Sequence, residues 1–393
     1  MGFEVRCLDL DVEDPKKLLN LVAREKPFAI GFSIVTQSLY TATSLARAIR
    51  EIDPSIPLIA GGPHPTLVPS DCEEVFDIVV VGEGEAALPI VIDILRRGKP
   101  RKTVVIRSRP IENLDSIPYP DRDSIDLSVY GDNRGAMMTS RGCPYSCLFC
   151  ATRYIMGRKF RAMSANRVVE EWRIVRRRYG APKIRIVDDV FTLDRRRAID
   201  ILTRVRDEGL GPWSLPNGVR ADNIDEELAI HMAESGCTTV WFGVESGDPR
   251  VLKVLRKGVS LDRVEYAVKL CRELGMRVGL FFMVGAPGET LESTRMTIDF
   301  IQRLDPDYVH FSIATPYPNT EFWRWVEEHG RFLTKDYRYF EKVFIFETPD
   351  YPLEHRVRAV EMILNELGSR YDIDFDLDLI YSFLEKVKSL ERR

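Results

Sequence analysis

The first hundred residues alternate runs of β-branched and other apolar residues with stretches of helical periodicity. The apolar runs predict strands of a buried parallel sheet at residues 3–10, 28–35, 57–63 and 77–85. The helical periodicity predicts helices near residues 15–25, 38–52, 68–75 and 85–97. Residues 1–100 are therefore predicted to form an α/β sandwich. Residues 101–134, with several prolines and little periodicity, are predicted to be a linker.

A second and more regular alternation begins at residue 135. It predicts strands at residues 135–140, 183–188, 213–219, 238–244, 277–284 and 308–314, with amphipathic helices between them. Ser164 and Ser260 are placed to cap two of these helices. Six strand-helix units are too few for an eightfold barrel, so residues 135–321 are predicted to form a partial barrel whose chemistry sits on the loops after the strands. Residues 322–393 are predicted to form a small, mostly helical C-terminal cap with one or two strands near residues 342–348.

Composition narrows the class of protein. With 393 residues, 45% hydrophobic and 30% charged, the chain can bury the cores of two or three domains. A formal net charge of -4 gives no strong nucleic-acid signal, and the arginines of residues 153–185 are assigned mainly to a solvated helix face. The longest apolar run, residues 278–286, is far shorter than the roughly 20 residues of a membrane span. No signal peptide is recognised either, so we expect a cytoplasmic protein.

Three of the seven cysteines, Cys143, Cys147 and Cys150, are crowded into the stretch "TSRGCPYSCLFCATRY" directly after the first barrel strand. A structural zinc site needs four protein ligands, and no second Cys or His pair occurs at a suitable spacing. Cys237 and Cys271 are expected to be packing cysteines rather than ligands. Three clustered thiolates suit a 4Fe-4S cluster better, because one iron then stays open to an outside ligand.

The spacing Cys-x3-Cys-x2-Cys, with Phe149 just before the last cysteine, resembles the signature of the radical S-adenosylmethionine superfamily. The resemblance covers roughly residues 135–330. It implies that Cys143, Cys147 and Cys150 bind the cluster and that S-adenosylmethionine chelates the open iron. It further implies reductive cleavage to a 5'-deoxyadenosyl radical, with electrons from an external one-electron donor such as flavodoxin or ferredoxin.

Three further segments resemble the parts of that family that bind the cosubstrate. In "IRIVDDVFTLD", Asp188 and Asp189 would meet the methionine ammonium group. In "WFGVESGD", Glu245 and Ser246 are candidates for contacts with ribose or methionine. In "GLFFMVGAPGET", Gly285 would let the backbone approach the adenine closely.

Structural roles compete with ligand binding in two of these segments. One aspartate of the Asp188–Asp189 pair could cap the following helix, although Asp194 is better placed to do so. Glu289 could simply start a helix. The pattern leaves both alternatives open.

Residues 1–100 resemble the Rossmann-like cobalamin-binding domain that precedes the barrel in one large class of these enzymes. The matching stretches are "GFSIVTQSLYTATSLARAI", "PLIAGGPHPT" and "VVVGEGE". The resemblance implies that Ser33, Gly61, Gly62 and Thr66 lie beside the dimethylbenzimidazole tail of a bound cobalamin. His64 is not expected to ligate cobalt, because the family carries this histidine in a turn.

The front of this domain departs from the family pattern. The chain begins at what would be the second strand, so the doubly wound domain is predicted to be truncated and to lack the Asp-x-His-x-x-Gly loop that binds cobalt in some members. Because an unpaired buried strand edge is costly, three alternatives follow. Strands two and three pair directly in a four-stranded sheet, the true protein starts upstream, or the domain is a relic without cofactor.

Three functions fit this combination. The first is cobalamin-dependent radical methylation of an unactivated carbon. The second is a radical S-adenosylmethionine enzyme without functional cobalamin that performs cyclisation, oxidation or thiolation. The third is a non-catalytic cluster or cobalamin carrier or sensor. The substrate is not identifiable from the sequence.

Overall fold

The computed structural model describes residues 2–392, which form two compact units. The first unit contains the residues up to Arg134 together with Tyr154–Gly157, and the second contains Gly135–Arg153 and the residues from Arg158 onward. Within residues 2–392, every helix is too short or too polar to cross a bilayer.

The first unit is built on a four-stranded parallel sheet whose strands follow one another in chain order. Its strands are β1 (Ile30–Ser33), β2 (Leu58–Gly61), β3 (Ile78–Val81) and β4 (Val104–Arg107). Its helices are α1 (Pro15–Glu25), α2 (Leu39–Ile52), α3 (Pro63–Leu67) and α4 (Gly84–Arg96). Apolar residues of β3, β4 and α4 pack into one core, to which Ile78, Ile106 and Val91 contribute.

The strand predicted at residues 3–10 is absent. That segment is irregular and mostly exposed. A strand needs a neighbour for its backbone groups, and within the described chain no strand pairs with this segment. The predicted helix at 68–75 was also wrong, since the α-helix there spans Pro63–Leu67 and only a 3-10 turn, Pro69–Cys72, follows it. The predicted linker likewise contains a strand, because Val104–Arg107 joins the sheet as β4. The sheet therefore has four strands, and Val104–Arg107 takes the place of the strand expected at residues 3–10.

The second unit is built on a six-stranded parallel sheet. Its strands are β5 (Ala136–Met137), β8 (Ile184–Ile186), β9 (Trp213–Val219), β10 (Cys237–Glu245), β11 (Arg277–Val284) and β12 (Tyr308–Ile313), and a small antiparallel pair is formed by β6 (Ser140–Arg141) and β7 (Arg161–Ala162). The strand order in the six-stranded sheet is β12-β11-β10-β9-β8-β5. The connecting helices are α6 (Ala165–Arg177), α7 (Arg195–Asp207), α8 (Glu226–Glu234), α9 (Pro249–Val254), α10 (Leu261–Glu273) and α11 (Leu291–Leu304), and the short helix α5 (Thr152–Ile155) has residues in both units. Because β5 and β12 stay at opposite ends of the sheet, the predicted partial barrel of six strand-helix units is confirmed.

Side-chain caps fix where three helices of the barrel begin. The hydroxyls of Ser164 and Ser260 accept hydrogen bonds from the backbone N–H groups of the third helical residues of α6 and α10, and Asp194 does the same for α7. The apolar face of α6 is held by the buried Trp172, whose indole N–H donates to a backbone carbonyl and whose ring lies edge-on to Trp213. These local signals are the ones that the sequence pattern predicts.

The arginines of α6 have structural partners. Arg173 makes a two-pronged ion pair with Glu208, at 2.7 and 2.9 Å. Arg176 donates to backbone carbonyls beyond the end of its helix, including that of Gly211 at 2.7 Å. This surface is therefore a solvated helix face tied down by ion pairs and carbonyl contacts, which agrees with the expectation.

The C-terminal region is mostly helical, as predicted. It contains α12 (Glu321–His329), the antiparallel pair β13 (Arg331–Phe332) and β14 (Phe346–Glu347), α13 (Leu353–Leu367) and α14 (Leu377–Glu391). Helix α13 packs against α11 and β11, so this region borders the fifth strand of the barrel.

Candidate active site

The carboxyl ends of the barrel strands open into a cavity of about 660 Å³ within the second unit. Parallel α/β units place their binding sites at this end, because the loops after the strands converge there. Cys143, Cys147 and Cys150 all line the cavity, together with Phe149. The same cavity is also lined by side chains from β11, β12 and the C-terminal region.

The loop that carries the three cysteines is anchored by residues from the segments that follow β9 and α9. The backbone N–H of Leu148 donates to the carbonyl of Leu255 at 2.9 Å. The hydroxyl of Tyr145 donates to Asn223 at 3.1 Å, and the Arg220 guanidinium lies 3.8 Å from the centre of the Tyr145 ring. These contacts preorganise the loop around its thiols.

The donor set consists of three cysteine thiols, which are the ligands that iron-sulfur clusters take. All seven cysteines, which lie within residues 2–392, are free. In that part of the chain no three His, Cys, Asp or Glu side chains are gathered closely enough to hold one metal ion. A cluster instead places each thiolate on a different iron, so its ligands need not converge on one point. Three cysteines on one anchored loop meet that requirement.

The thiols of the cysteine loop are partly buried, and two positively charged side chains lie near Cys147. Burial raises the pKa of the Cys143 thiol to about 11. Burial also raises the pKa of Cys147, while the positive charges of Lys257 and Arg220 act in the opposite direction. Arg220 is fixed by an ion pair with Asp222 and by donation to the carbonyl of Lys257 at 2.7 Å. Two cations thus stand beside the loop that would hold an anionic set of thiolates.

Glu245 and Lys257 form a buried ion pair in the cavity wall, with 2.7 Å between Oε1 and Nζ. Both side chains are only 9% exposed. Glu245 has a φ of 76°, in the left-handed region that non-glycine residues rarely adopt, at an irregularity in the pairing of β10 with β11. A backbone held in this way indicates that the position of the Glu245 carboxylate is constrained. Sequence reasoning missed Lys257. The feature that could have identified it is its position just after α9, in "VLRKG".

The two neighbouring aspartates after β8 have different environments. Asp188 is buried and accepts from the N–H of Thr139 at 2.5 Å and from the hydroxyls of Thr139 and Ser140 at 2.6 Å. It therefore holds the start of the cysteine segment and does not line the cavity. Asp189 does line the cavity, where it accepts from Thr152 at 3.1 Å. Desolvation raises the pKa of Asp189, and the Asp188 charge adds to that effect.

Ser246 and Gly285 do not line the cavity either. The Ser246 hydroxyl is buried, accepts from the Asp248 N–H at 3.1 Å and lies 3.4 Å from the Thr297 hydroxyl. Gly285 has a φ of 81°, and a Cβ there would lie 2.8 Å from atoms of Arg356 and Phe344. The need for glycine at this position therefore comes from the C-terminal region packed behind it.

Two buried side chains, Glu289 and Arg356, hold the backbone of the loop after β11. One oxygen of Glu289 accepts from the N–H groups of Gly285 and Ala286, at 2.6 and 2.9 Å. Arg356, from α13, is fully buried and donates through Nη1 to the Gly285 carbonyl at 2.7 Å. Burial raises the pKa of Glu289 to about 7 and lowers that of Arg356 to about 10. The Glu289 carboxylate thus fixes the loop by accepting hydrogen bonds from its backbone N–H groups. Sequence reasoning missed Arg356.

In the first unit, the predicted cofactor residues meet at the carboxyl ends of β1 and β2. Ser33 is exposed and is the register partner of Gly61. A Cβ on Gly62, whose φ is 99°, would lie 2.8 Å from the backbone N of Ile34. Thr66 ties this turn to β3, donating to the Gly62 carbonyl at 2.8 Å and accepting from the Gly82 N–H at 3.0 Å. The candidate site is therefore the tightly packed backbone turn at Gly61 and Gly62, with the exposed Ser33 side chain beside it.

His64 lies beneath this turn and is fully buried. Its Nδ1 is 3.1 Å from the Thr36 hydroxyl and its Nε2 is 3.3 Å from the Asp71 carboxylate. Burial lowers the pKa of His64, although Asp71 opposes that shift. Both ring nitrogens face protein groups, so this imidazole does not offer a free ligand atom.

Two family profiles match the chain, one on each part of it. The profile of the radical SAM superfamily matches residues 137–301, and that of the B12 binding domain matches residues 1–92. The first range contains Cys143, Cys147 and Cys150, together with Asp189 and the Glu245–Lys257 pair. The second contains the turn with Ser33, Gly61, Gly62 and Thr66.

The chain is also similar to individual proteins. It is 35% identical to an uncharacterized methyltransferase of Pyrococcus horikoshii, over 85% of this chain and 77% of that protein. It is 30% identical to the cytidylyl-2-hydroxyethylphosphonate methyltransferase of Streptomyces wedmorensis, over 76% of this chain and 66% of that protein. Among solved structures, the radical S-adenosylmethionine methyltransferase TsrM of Kitasatospora setae, with cobalamin and a 4Fe-4S cluster bound, superimposes with a TM-score of 0.69 at 22% identity. That match covers 83% of this chain and 72% of that one.

Proposed function

The chain belongs to the radical S-adenosylmethionine superfamily and carries a B12-binding domain before the barrel, and from this we propose a cobalamin-dependent radical methyltransferase that acts on an unactivated carbon. The observation that carries the proposal is the cavity at the strand ends, which is lined by three cysteines from one loop together with Asp189 and the Glu245–Lys257 pair. When bound, a 4Fe-4S cluster supplies the electron that cleaves S-adenosylmethionine to a 5'-deoxyadenosyl radical, and cobalamin supplies a transferable methyl group.

The three cysteines, Asp189, Lys257 and Glu245 each have a place in this proposal. Cys143, Cys147 and Cys150 would hold the cluster and leave one iron for the amino and carboxylate groups of the cosubstrate. The Asp189 carboxylate complements an ammonium group, and the Lys257 ammonium complements a carboxylate. Glu245 keeps Lys257 in position, because a buried ammonium needs a fixed partner.

The first unit would hold cobalamin at the turn after β2. The exposed Ser33 hydroxyl and the backbone of Gly61 and Gly62 would lie beside its tail. Ligands of open α/β sheets bind at the carboxyl ends of the strands, which is where this turn lies.

The proposal is tested on the full chain, purified and reconstituted without oxygen. We expect cobalamin absorbance to remain after desalting, and 5'-deoxyadenosine to form when the reduced protein is mixed with S-adenosylmethionine. Ser33→Phe should lose the cobalamin absorbance, because a large exposed side chain would block the turn. Ser55→Phe, at the amino end of β2, should retain it. Wild-type protein that forms 5'-deoxyadenosine but never retains cobalamin would favour the radical enzyme without functional cobalamin, and absence of 5'-deoxyadenosine would favour a carrier or sensor.

Replacing Lys257 by methionine is expected to weaken the binding of S-adenosylmethionine at least about tenfold, the loss of one charge-assisted hydrogen bond. The variant also leaves the buried Glu245 carboxylate without its partner. Equilibrium binding of S-adenosylmethionine to the reconstituted protein measures the effect. Lys253→Met, an exposed lysine on α9, is the matched control. Unchanged affinity in Lys257→Met, with normal cluster content, would remove Lys257 from the site.

A further inference from the structure

Arg220 is a charged residue of the cavity to which the proposed function gives no task. It directly follows β9, is buried, and lines the same cavity as the three cysteines. A guanidinium group keeps its positive charge throughout the pH range in which proteins are folded. Arg220 therefore adds a permanent positive charge to the lining that it shares with the thiols.

The guanidinium group of Arg220 is held by protein groups through all three of its nitrogen atoms. Nε and Nη2 donate to the two carboxylate oxygens of Asp222, at 3.0 and 2.8 Å. Nη1 donates to the backbone carbonyl of Lys257 at 2.7 Å. Because this fork is already engaged, the structure favours a role for the charge of Arg220 over a role as a donor to a bound ligand.

One face of the guanidinium lies against the loop that carries the cysteines. Cζ of Arg220 is 3.8 Å from the centre of the Tyr145 ring, and Tyr145 lies midway between Cys143 and Cys147 in the chain. The ring is itself fixed, since its hydroxyl donates to Asn223 at 3.1 Å. Attraction between a cation and a ring face stabilises this arrangement. The positive charge is thus fixed against the thiol loop, and it attracts the thiolate form of Cys147.

The carboxylate paired with Arg220 offsets only part of its charge. The side chain of Arg220 is 10% exposed, whereas that of Asp222 is 33% exposed. Solvent and salt screen an exposed charge more strongly than a buried one. A net positive potential from this pair therefore remains at the thiols.

The lysine of the cavity differs from Arg220 in this respect. Lys257 and its partner Glu245 are equally buried, each with 9% of the side chain exposed, and their charged atoms are 2.7 Å apart. Two opposite charges that are screened alike largely cancel each other at a distance. Of these two cations, Arg220 is therefore the one whose charge is incompletely balanced.

Reduction of a 4Fe-4S cluster takes one electron from an external low-potential donor, adds one negative charge beside the thiols, and neither forms nor breaks a bond. A fixed cation nearby stabilises the more negative, reduced state. We propose that Arg220 raises the reduction potential of the cluster by its charge, and that Asp222 limits this effect. The inference rests on the proposed function, because it requires a cluster at the three cysteines.

The inference is tested by reductive titration of the anaerobically reconstituted full chain with dithionite and low-potential mediators, without S-adenosylmethionine. The EPR signal of the reduced cluster gives the potential. Arg220→Gln, which keeps a donor for the Lys257 carbonyl, should lower the equilibrium constant for reduction at least about tenfold, a shift of about 59 mV to more negative potential.

The partner of Arg220 provides a variant with the opposite expected sign. Asp222→Asn removes the negative charge at an exposed position and should raise the equilibrium constant for reduction at least about threefold. Arg220→Lys keeps the charge and should stay within about threefold of the wild type. Arg196→Gln is the matched control, because Arg196 is an exposed arginine of α7 that does not line the cavity. Its potential should equal that of the wild type.

Three results would overturn the inference. These are an unchanged or raised potential in Arg220→Gln, an unchanged or lowered potential in Asp222→Asn, and a fall in Arg220→Lys as large as that in Arg220→Gln. If Arg220→Gln assembles no cluster, the direction of the shift in Asp222→Asn decides the question. A wild-type chain that assembles no cluster disproves the proposed function, whereas a chain with a cluster and unshifted variants disproves only the role of Arg220.

Discussion

Replacing Cys150 by serine is expected to reduce 5'-deoxyadenosine formation to background and to prevent assembly of the cluster. Cys150 lines the cavity at the end of the anchored loop, and of the cysteines in the described part of the chain three line it. Because the site has no spare thiol, the loss of one ligand leaves a second iron without protein support. Iron bound after anaerobic reconstitution should fall well below about four atoms per chain, together with the visible absorbance of the cluster.

The control for this experiment is Cys7→Ser. Cys7 is an exposed thiol of the first unit, far along the chain from the cluster loop. It should leave both iron content and 5'-deoxyadenosine formation unchanged. The prediction fails if Cys150→Ser retains a full cluster and activity, because another residue would then supply the third ligand.

Replacing Arg356 by methionine is expected to lower the free energy of unfolding by about 3 kcal/mol and to raise the KM for S-adenosylmethionine more than it lowers kcat. Methionine has a similar length but leaves the carbonyls of Gly285 and Tyr351 without their donor. It also removes the cation packed 4.2 Å from the centre of the Phe346 ring. Glu289 would lose a nearby positive charge while remaining buried. Arg356 acts here as a positioning residue for the loop after β11.

Urea unfolding measures the loss of stability in Arg356→Met, and steady-state kinetics measure the change in KM and kcat. Arg356→Lys keeps the charge but not the two directed donors, so it should restore part of the stability and less of the KM. The double variant Arg356→Met with Glu289→Gln should be more stable than the sum of the single changes indicates, because no unpaired carboxylate remains. Kinetic constants that stay at wild-type values in a destabilised Arg356→Met would restrict this residue to a purely structural role.

Features that depend on nearby residues were predicted correctly from the sequence. The strands around residues 28–35, 213–219 and 277–284 follow from apolar runs, and the caps Ser164 and Ser260 begin the helices expected of them. The three cysteines lie in a loop after the first barrel strand, as predicted from their place in the sequence. In each case the physical cause, a buried face or a capped N–H group, lies within a few residues of the signal.

Features that depend on a distant partner were decided only by the tertiary structure. Residues 3–10 have a strand pattern but no neighbour to pair with, whereas Val104–Arg107, within a predicted linker, finds β3. Asp188 and Asp189 are equivalent in the sequence, and packing turns one toward Thr139 and leaves the other in the cavity. Arg356 reaches Gly285 across 71 residues. The sequence by itself determined the two α/β regions and the position of the cysteine loop after the first barrel strand, and the three-dimensional packing decided which charged groups line the cavity, because burial and pairing depend on the partners that folding brings together.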